Sequence, residues 1–307
     1  MKINNYPKII LFFILFDISL FLLFGCNNNA DDKGSSEYIN QIKSWRQKRI
    51  ENLQKENGWL NLAGLFWLKK GTNTFGTNPH NDIIFPQGKA PGKIGAFILK
   101  DSTVTIKVNP GVEVTYNDRP VHEMNLKTDL SGDPTELSLG FLKWFIIKRG
   151  EKYGVRLRDL NAELLNNFAG IDTYPIDESW KLMAKYEPYN PPKSISIPTI
   201  LGTIDKDTSP GALAFEKNGN QYKLDVIAEG NQFFIIFADE TSGKETYGAG
   251  RFLYTDLPDS NGNVTLDFNK AYNPPCAFTP YATCPLPPKQ NYLKLSVTAG
   301  EKEYGNH

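Results

Sequence analysis

The stretch "GALAFEKNGNQYKLDVIA", Gly211 to Ala228, decides the fold class. Apolar and polar residues alternate on both sides of Asn218-Gly219, and a strand turns successive side chains to opposite faces. An Asn-Gly pair between two alternating runs is the strongest short-range hairpin signal, because both residues tolerate the positive φ that a two-residue turn needs. The reading is therefore an antiparallel hairpin.

Working outward, the same texture recurs. Downstream lie "QFFIIFADE", "GRFLYTDLP" and "NVTLDFN"; upstream lie "TILGTI", "YGVRLRD", "TELSLGFLKWFIIKRG", "VEVTYNDRPV", "TVTIKV", "GAFILK", "NDIIFP" and "WLNLAGLFWLKKGTNTFG". Short strand-like runs punctuated by Gly, Asn, Asp and Pro predict antiparallel sandwiches rather than βαβ units. The fold class is mainly β, an N-terminal helix followed by two antiparallel β-units. "DTYPIDESWKLMAKYEPYNPPKSISIP" reads as a connector with a helical turn near Trp180, so the first unit spans residues 37–171, the connector 172–198 and the second, sandwich- or barrel-like unit 199–307.

Ahead of the β-runs, Ile39, Ile42, Trp45, Ile50 and Leu53 recur near helical spacing. Ser35 or Ser36 caps that helix and Asn57-Gly58 stops it; Arg46, Lys48 and Arg49 read as its solvated face. Residues 1–25 carry Lys2 and Lys8, an apolar run from Ile9 to Phe24 and then Gly25-Cys26. That is the pattern of a secretory signal peptide, and Gly-Cys resembles the bacterial lipobox. Cys26 is then the lipidated first residue, residues 26–36 a polar tether, and the cell envelope the location, with the membrane as partner; an uncleaved membrane anchor is the alternative, for which the apolar run is a little short.

The order of the first-unit pieces resembles the forkhead-associated sandwich. Its parallels are the strand ending at Phe75-Gly76, the "NDI" of Asn81 to Ile83, the "YND" turn and "LSLG…FII". Thr77 stands where that family places its phosphothreonine-binding arginine, so the resemblance extends to fold and not to phosphopeptide recognition. A more specific resemblance is carried by "FADETSGKETYGAGRFLY" and "DFNKAYNPPCAFTPYATCPLPPKQNYLKLSVTAGEKEY", with "NGWLNLAGLFWLKKGTNTFG" and "YGVRLRD" upstream. These runs are similar to the bacterial domain-of-unknown-function family 1684 (DUF1684). That resemblance implies a shared architecture and no reaction.

Chemistry must be read from the residues. Asp267 to Asn291 gathers two cysteines and six prolines, a stiff segment suited to a wall, a lid or a cross-over. An exported location favours a Cys276–Cys284 disulfide; free structural thiols, a metal ligand pair or a nucleophile stay open. Metal is the weaker expectation, since His80, His122 and His307 are the only histidines, and no cofactor is expected. Arg251, after the glycines of "GAG", offers a bidentate fork to an acidic or sugar-like ligand, with Asp267, Asn269, Tyr272 and Tyr247 as companions; a structural Arg–Asp pair is the alternative. Arg156, Arg158 and Asp159 offer a similar pair, with both arginines on one strand face. Asp239, Glu240 and Asp267 are candidate carboxylates for hydrolysis.

Thirty-four basic and thirty-four acidic side chains balance, so nothing suggests nucleic acid, which calls for a basic face. A GxSxG elbow, a Walker loop, an HExxH and a dinucleotide fingerprint are all missing. The leading expectation is an envelope binding module for a small polar ligand, glycan or protein partner. The alternative is a cofactor-free hydrolase using those carboxylates with Arg251.

Overall fold

Asn218 and Gly219 take positive φ of 53° and 77° and join the strands Ile204–Lys217 and Asn220–Asp225. Lys217 faces Asn220 across the turn, so the hairpin forms as the sequence predicts. The computed structural model describes residues 31–305. The leader and Cys26 lie outside the described residues.

The chain is mainly β. In the first half, a six-stranded sheet runs from Leu62–Trp67 through Lys152–Asp159 and Leu142–Arg149 to Arg119–Pro120. A five-stranded sheet holds Gly71–Gly76, Gly95–Lys100 and Thr103–Val108 at its centre. Its pairings are antiparallel except the short parallel ladder of Phe75 and Gly76 with Ile83 and Ile84. Side chains of both sheets share one core around Trp144, Phe75, Phe85 and Phe97, with the Phe75 and Phe97 rings 4.3 Å apart. Val155 and Leu157 enter that core. By alternation Arg156 and Arg158 face the other way, yet both are buried: Arg156 meets Thr283 of the second half, and Arg158 meets Gly58 and Asn61 of the turn after the helix.

The second half contains a four-stranded and a three-stranded antiparallel sheet around Trp180, Phe215, Phe237 and Phe268. The segment read as a connector corrects the expectation. The turn at Glu178–Trp180 is present, but Lys181–Pro198 is a full strand paired with both Ile204–Lys217 and Asn263–Asp267. Pro191 and Pro192 sit where the register shifts between Pro188 and Lys193, and at a bulge a missing N–H breaks no ladder bond. A further apolar cluster draws Leu62 from the first half against Ile195, Ile236 and Phe252 from the second. Residues 31–307 thus carry their cores within one compact unit.

The helix spans Ser36–Gln54, with Ser35 accepting the Tyr38 N–H as its cap. A Cβ on Gly58 would overlap the Leu53 carbonyl, so the turn leaving the helix admits only glycine. Two expectations fail here. Arg46 donates to Thr173 Oγ1 and the Tyr174 carbonyl, and Arg49 reaches Glu301 and the Asn273 carbonyl; of the three cations read as solvated, Lys48 alone is exposed. Apolar spacing traces the greasy stripe and misses a polar wall that takes long cationic donors. The last tether residues are also fixed: the Lys33 N–H donates to the Ile176 carbonyl, and the Lys33 carbonyl accepts from the Glu178 N–H. That pairing uses backbone groups, which composition does not report. Among the described residues no helix is long and apolar enough to cross a membrane.

Candidate functional site

The Pro/Cys-rich segment is held by its own polar side chains. Asn269 donates to the Tyr38 hydroxyl and the Asp177 carbonyl and accepts from Asp177 N–H, while Asp267 accepts from the Tyr38 hydroxyl at 2.8 Å. Burial and the Asp267 carboxylate push the Tyr38 pKa well up. Asn273 donates to the Lys302 carbonyl, and Asn291 clasps the Asp225 and Ile236 carbonyls. These residues tie helix, sheet and C-terminus together.

Cys276 and Cys284 are disulfide-bonded, with Cα atoms 6.2 Å apart. Reducing this loop of nine residues is expected to lower stability by about 2–3 kcal/mol through released chain entropy. Denaturation with and without reductant measures it, and an unchanged midpoint would sink the expectation. Among the described residues no three His, Cys, Asp or Glu side chains gather as a metal site.

Arg251 is fully buried and pairs with Asp239, not Asp267, at 2.8 Å. Nη1 also reaches the Ala299 and Glu301 carbonyls and Nη2 the Val297 carbonyl, while Nε has no partner. The second Asp239 oxygen accepts from Thr241 and from Val297 N–H. Glu240 is exposed and accepts from Ser296, and Tyr247 packs by Leu53 and Phe278. The expected grouping of Arg251 with Asp267, Asn269, Tyr247 and Tyr272 is therefore dispersed: Asp239 and Asp267 belong to separate networks, and Arg251 lines none of the clefts described below. In "VRLRD" the arginines take no Asp159 partner; Arg158 donates to the Gly58 carbonyl and Asn61, while Asp159 pairs with Lys89.

Glu301 is buried with its oxygens bonded to Arg49 Nε and Asn273 N–H. Desolvation outweighs these partners and raises its pKa. A raised folded-state pKa gives stability that is present below the unfolded value and lost as pH rises through the folded one. Glu301→Gln removes this loss, so its midpoint relative to the wild type is expected to become more favourable as the pH rises above the ordinary carboxyl range. Parallel pH profiles of the two proteins would contradict it.

What the structure brings together lies elsewhere. The helix, the Lys152–Asp159 strand, the Gln232–Phe237 and Arg251–Asp256 hairpin and the stapled loop enclose a cleft of about 630 Å³. One wall is an aromatic ladder: Phe234 stacks on Tyr254 at 4.9 Å, Phe252 meets Tyr272 edge-on, and Tyr254 lies parallel to Tyr272. Arg49 caps the Tyr272 ring at 4.6 Å. Burial raises the pKa of Tyr254 and Tyr272; the Tyr254 hydroxyl donates to Glu229 at 2.7 Å. Trp45 and Trp59 add indoles from the helix side, and Cys284 and Pro275 bring the staple into the lining.

Arg156 lines the cleft. It is 6% exposed, donates from Nη2 to Thr283 Oγ1 at 3.3 Å, and has no partner for Nε. Among the described residues no carboxylate pairs with it; its neighbour Arg149 holds Asp129 at 2.6 Å instead. Desolvation first, then Arg149 and Arg158, lower the Arg156 pKa to about 10. A buried guanidinium without a counter-ion is costly, and the fork is built to take a carboxylate or phosphate.

Of the residues singled out from sequence, Trp45, Tyr272 and Cys284 line this cleft, together with Arg156, read there as part of a strand pair, and Lys48 and Arg49, read there as a solvated face. The aromatic ladder was missed as a site. Its signal was present in "QFFIIF" and "RFLY", where aromatic residues occupy both faces of paired strands.

None of the curated proteins matches the chain significantly. An uncharacterised protein of Haloarcula marismortui, solved by solution NMR, is 30% identical over 46% of this chain and 80% of its own, with a TM-score of 0.38. The model of the family described as "Protein of unknown function (DUF1684)" matches residues 166–302, which contain the stapled segment and the hairpin of the aromatic wall, and the chain belongs to that family.

Proposed function

We propose that the protein is a binding module of the cell envelope, lipid-anchored through Cys26, that holds a small ligand with an anionic group and a planar or apolar body. The observation that carries this reading is Arg156: a buried cation without a carboxylate, lining an aromatic cleft of the size that small ligands occupy. A carboxylate or phosphate supplies the missing charge, and the Phe234, Tyr254 and Tyr272 column gives the rest of the molecule an aromatic wall to lie against. The carboxylates considered for hydrolysis serve the framework instead, Asp239 on Arg251 and Asp267 on Tyr38.

Titration of the Asp31–His307 unit with benzoate, with benzamide as the uncharged match, tests the reading. Benzoate is expected to bind and to raise the melting temperature, benzamide to bind at least tenfold more weakly, and Arg156→Gln to abolish the difference. Equal binding of the two probes, or a variant that keeps the preference, would overturn it.

A further inference from the structure

The aromatic cleft has a neighbour of a different kind. A second hollow of about 590 Å³ adjoins it, sharing Arg149, Glu229, Phe234, Thr283 and Pro285 as a common wall. Where the first hollow is aromatic and cationic, the second is aliphatic: Ile197, Leu201, Ile204, Ile227 and Ile236 line it. Thr283, the residue bonded to Arg156, stands on the shared wall. The unpaired guanidinium is therefore beside the junction of the two spaces.

The outer part of the second hollow has the wrong chemistry for a free surface. Leu201 is 38% and Ile204 67% exposed, leaving branched aliphatic side chains facing water at its rim. Asp205 and Asp207 lie at the same end and are exposed. They repel a second negative group there, so whatever extends along this hollow is negative at the Arg156 end and uncharged at the other. Lys152 lines the hollow near Arg149 and reinforces the same polarity. A buried anion seat running into an aliphatic channel is the complement of an amphiphile.

Resting on the Arg156 reading, we propose that the ligand is a single-chain amphiphile with an anionic head. The head, carboxylate or phosphate, pairs with Arg156 beside Thr283. The aromatic cleft takes the remainder of the head. The hydrocarbon chain lies along Ile197, Ile227 and Ile236 and leaves past Leu201 and Ile204. Binding removes both unfavourable features at once, the uncompensated cation and the wet aliphatic rim.

The test is calorimetric titration of the Asp31–His307 unit with hexanoate, octanoate and decanoate below their micelle concentrations. Octyl phosphate separates the two head chemistries, and octanol serves as the uncharged control. Affinity is expected to rise by about fourfold for each added methylene. Arg156→Gln is expected to weaken every acid at least tenfold while leaving that step between chain lengths unchanged. Ile204→Glu, on an exposed side chain, is expected to flatten the step for the longer acids without altering hexanoate. Affinities that do not grow with chain length overturn the amphiphile while the anion seat stands. A chain-length step that survives in Ile204→Glu overturns the placement of the tail. Binding that Arg156→Gln leaves intact, or octanol binding as tightly as octanoate, overturns the seat and the amphiphile together.

Discussion

Asp239→Ala is expected to destabilise the folded unit by about 3–5 kcal/mol, because it strands a fully buried guanidinium. The melting temperature should fall by roughly 6–20 °C for a domain of this size. The carbonyls of Val297, Ala299 and Glu301 still accept from Arg251 in the variant, but dipoles do not replace a counter-charge. Adding Arg251→Met removes the orphaned cation, so the double variant should lose less stability than Asp239→Ala alone. Urea denaturation of the three proteins reads both effects. A single-variant loss below about 1 kcal/mol would show that the pair is not what holds the C-terminal segment.

Arg156→Met should act in the opposite direction. The folded-state pKa of Arg156, about 10 against an ordinary 12.5, means that its charged form is penalised by folding. The penalty is fully present below about pH 10 and is relieved only as the pH climbs toward the unfolded value. At neutral pH, replacing the side chain with methionine should therefore raise stability by up to about 3 kcal/mol. Denaturant midpoints decide the sign: a framework arginine destabilises when removed, whereas one held for a ligand stabilises. A marked loss of stability in Arg156→Met would place Arg156 with Arg251 as a structural residue.

These two arginines also mark how far the sequence could be read. Both sit in strands, next to apolar neighbours, in runs that differ little to the eye: "GVRLRD" and "GAGRFLY". Alternation placed Arg156 and Arg158 on one face, and the structure agrees. It did not report what covers this face, since that depends on contacts between residues far apart in sequence, as in Arg156 with Thr283 of the stapled loop. For Arg251 the nearby carboxylate was recognised as one of several, and its choice of Asp239 over Asp267 follows from where Val297–Glu301 runs, which no local pattern encodes. The hairpin at Asn218-Gly219, the helix with its Ser35 cap and the Cys276–Cys284 staple were legible because each is set by neighbours in sequence. The prolines of Lys181–Pro198 misled because they were taken as a break, although a bulge absorbs them.

The helix near the start of the described chain is finished by its end. Tyr38 closes onto Asp267 and Arg49 onto Glu301, so the helix, which also leans on Thr173 to Ile176, is not fully docked until the C-terminal segment is in place. The first-half sandwich, whose core draws only on residues between Ala63 and Leu157, can collapse long before that. Assembly is thus ordered in time: the sandwich early, the stapled segment and helix last, in a single long-range closure whose entropic cost slows folding. The ligand cleft is walled by the helix, the sandwich and the staple together, so it comes into being with that final step, and a chain that has not closed offers the ligand no seat.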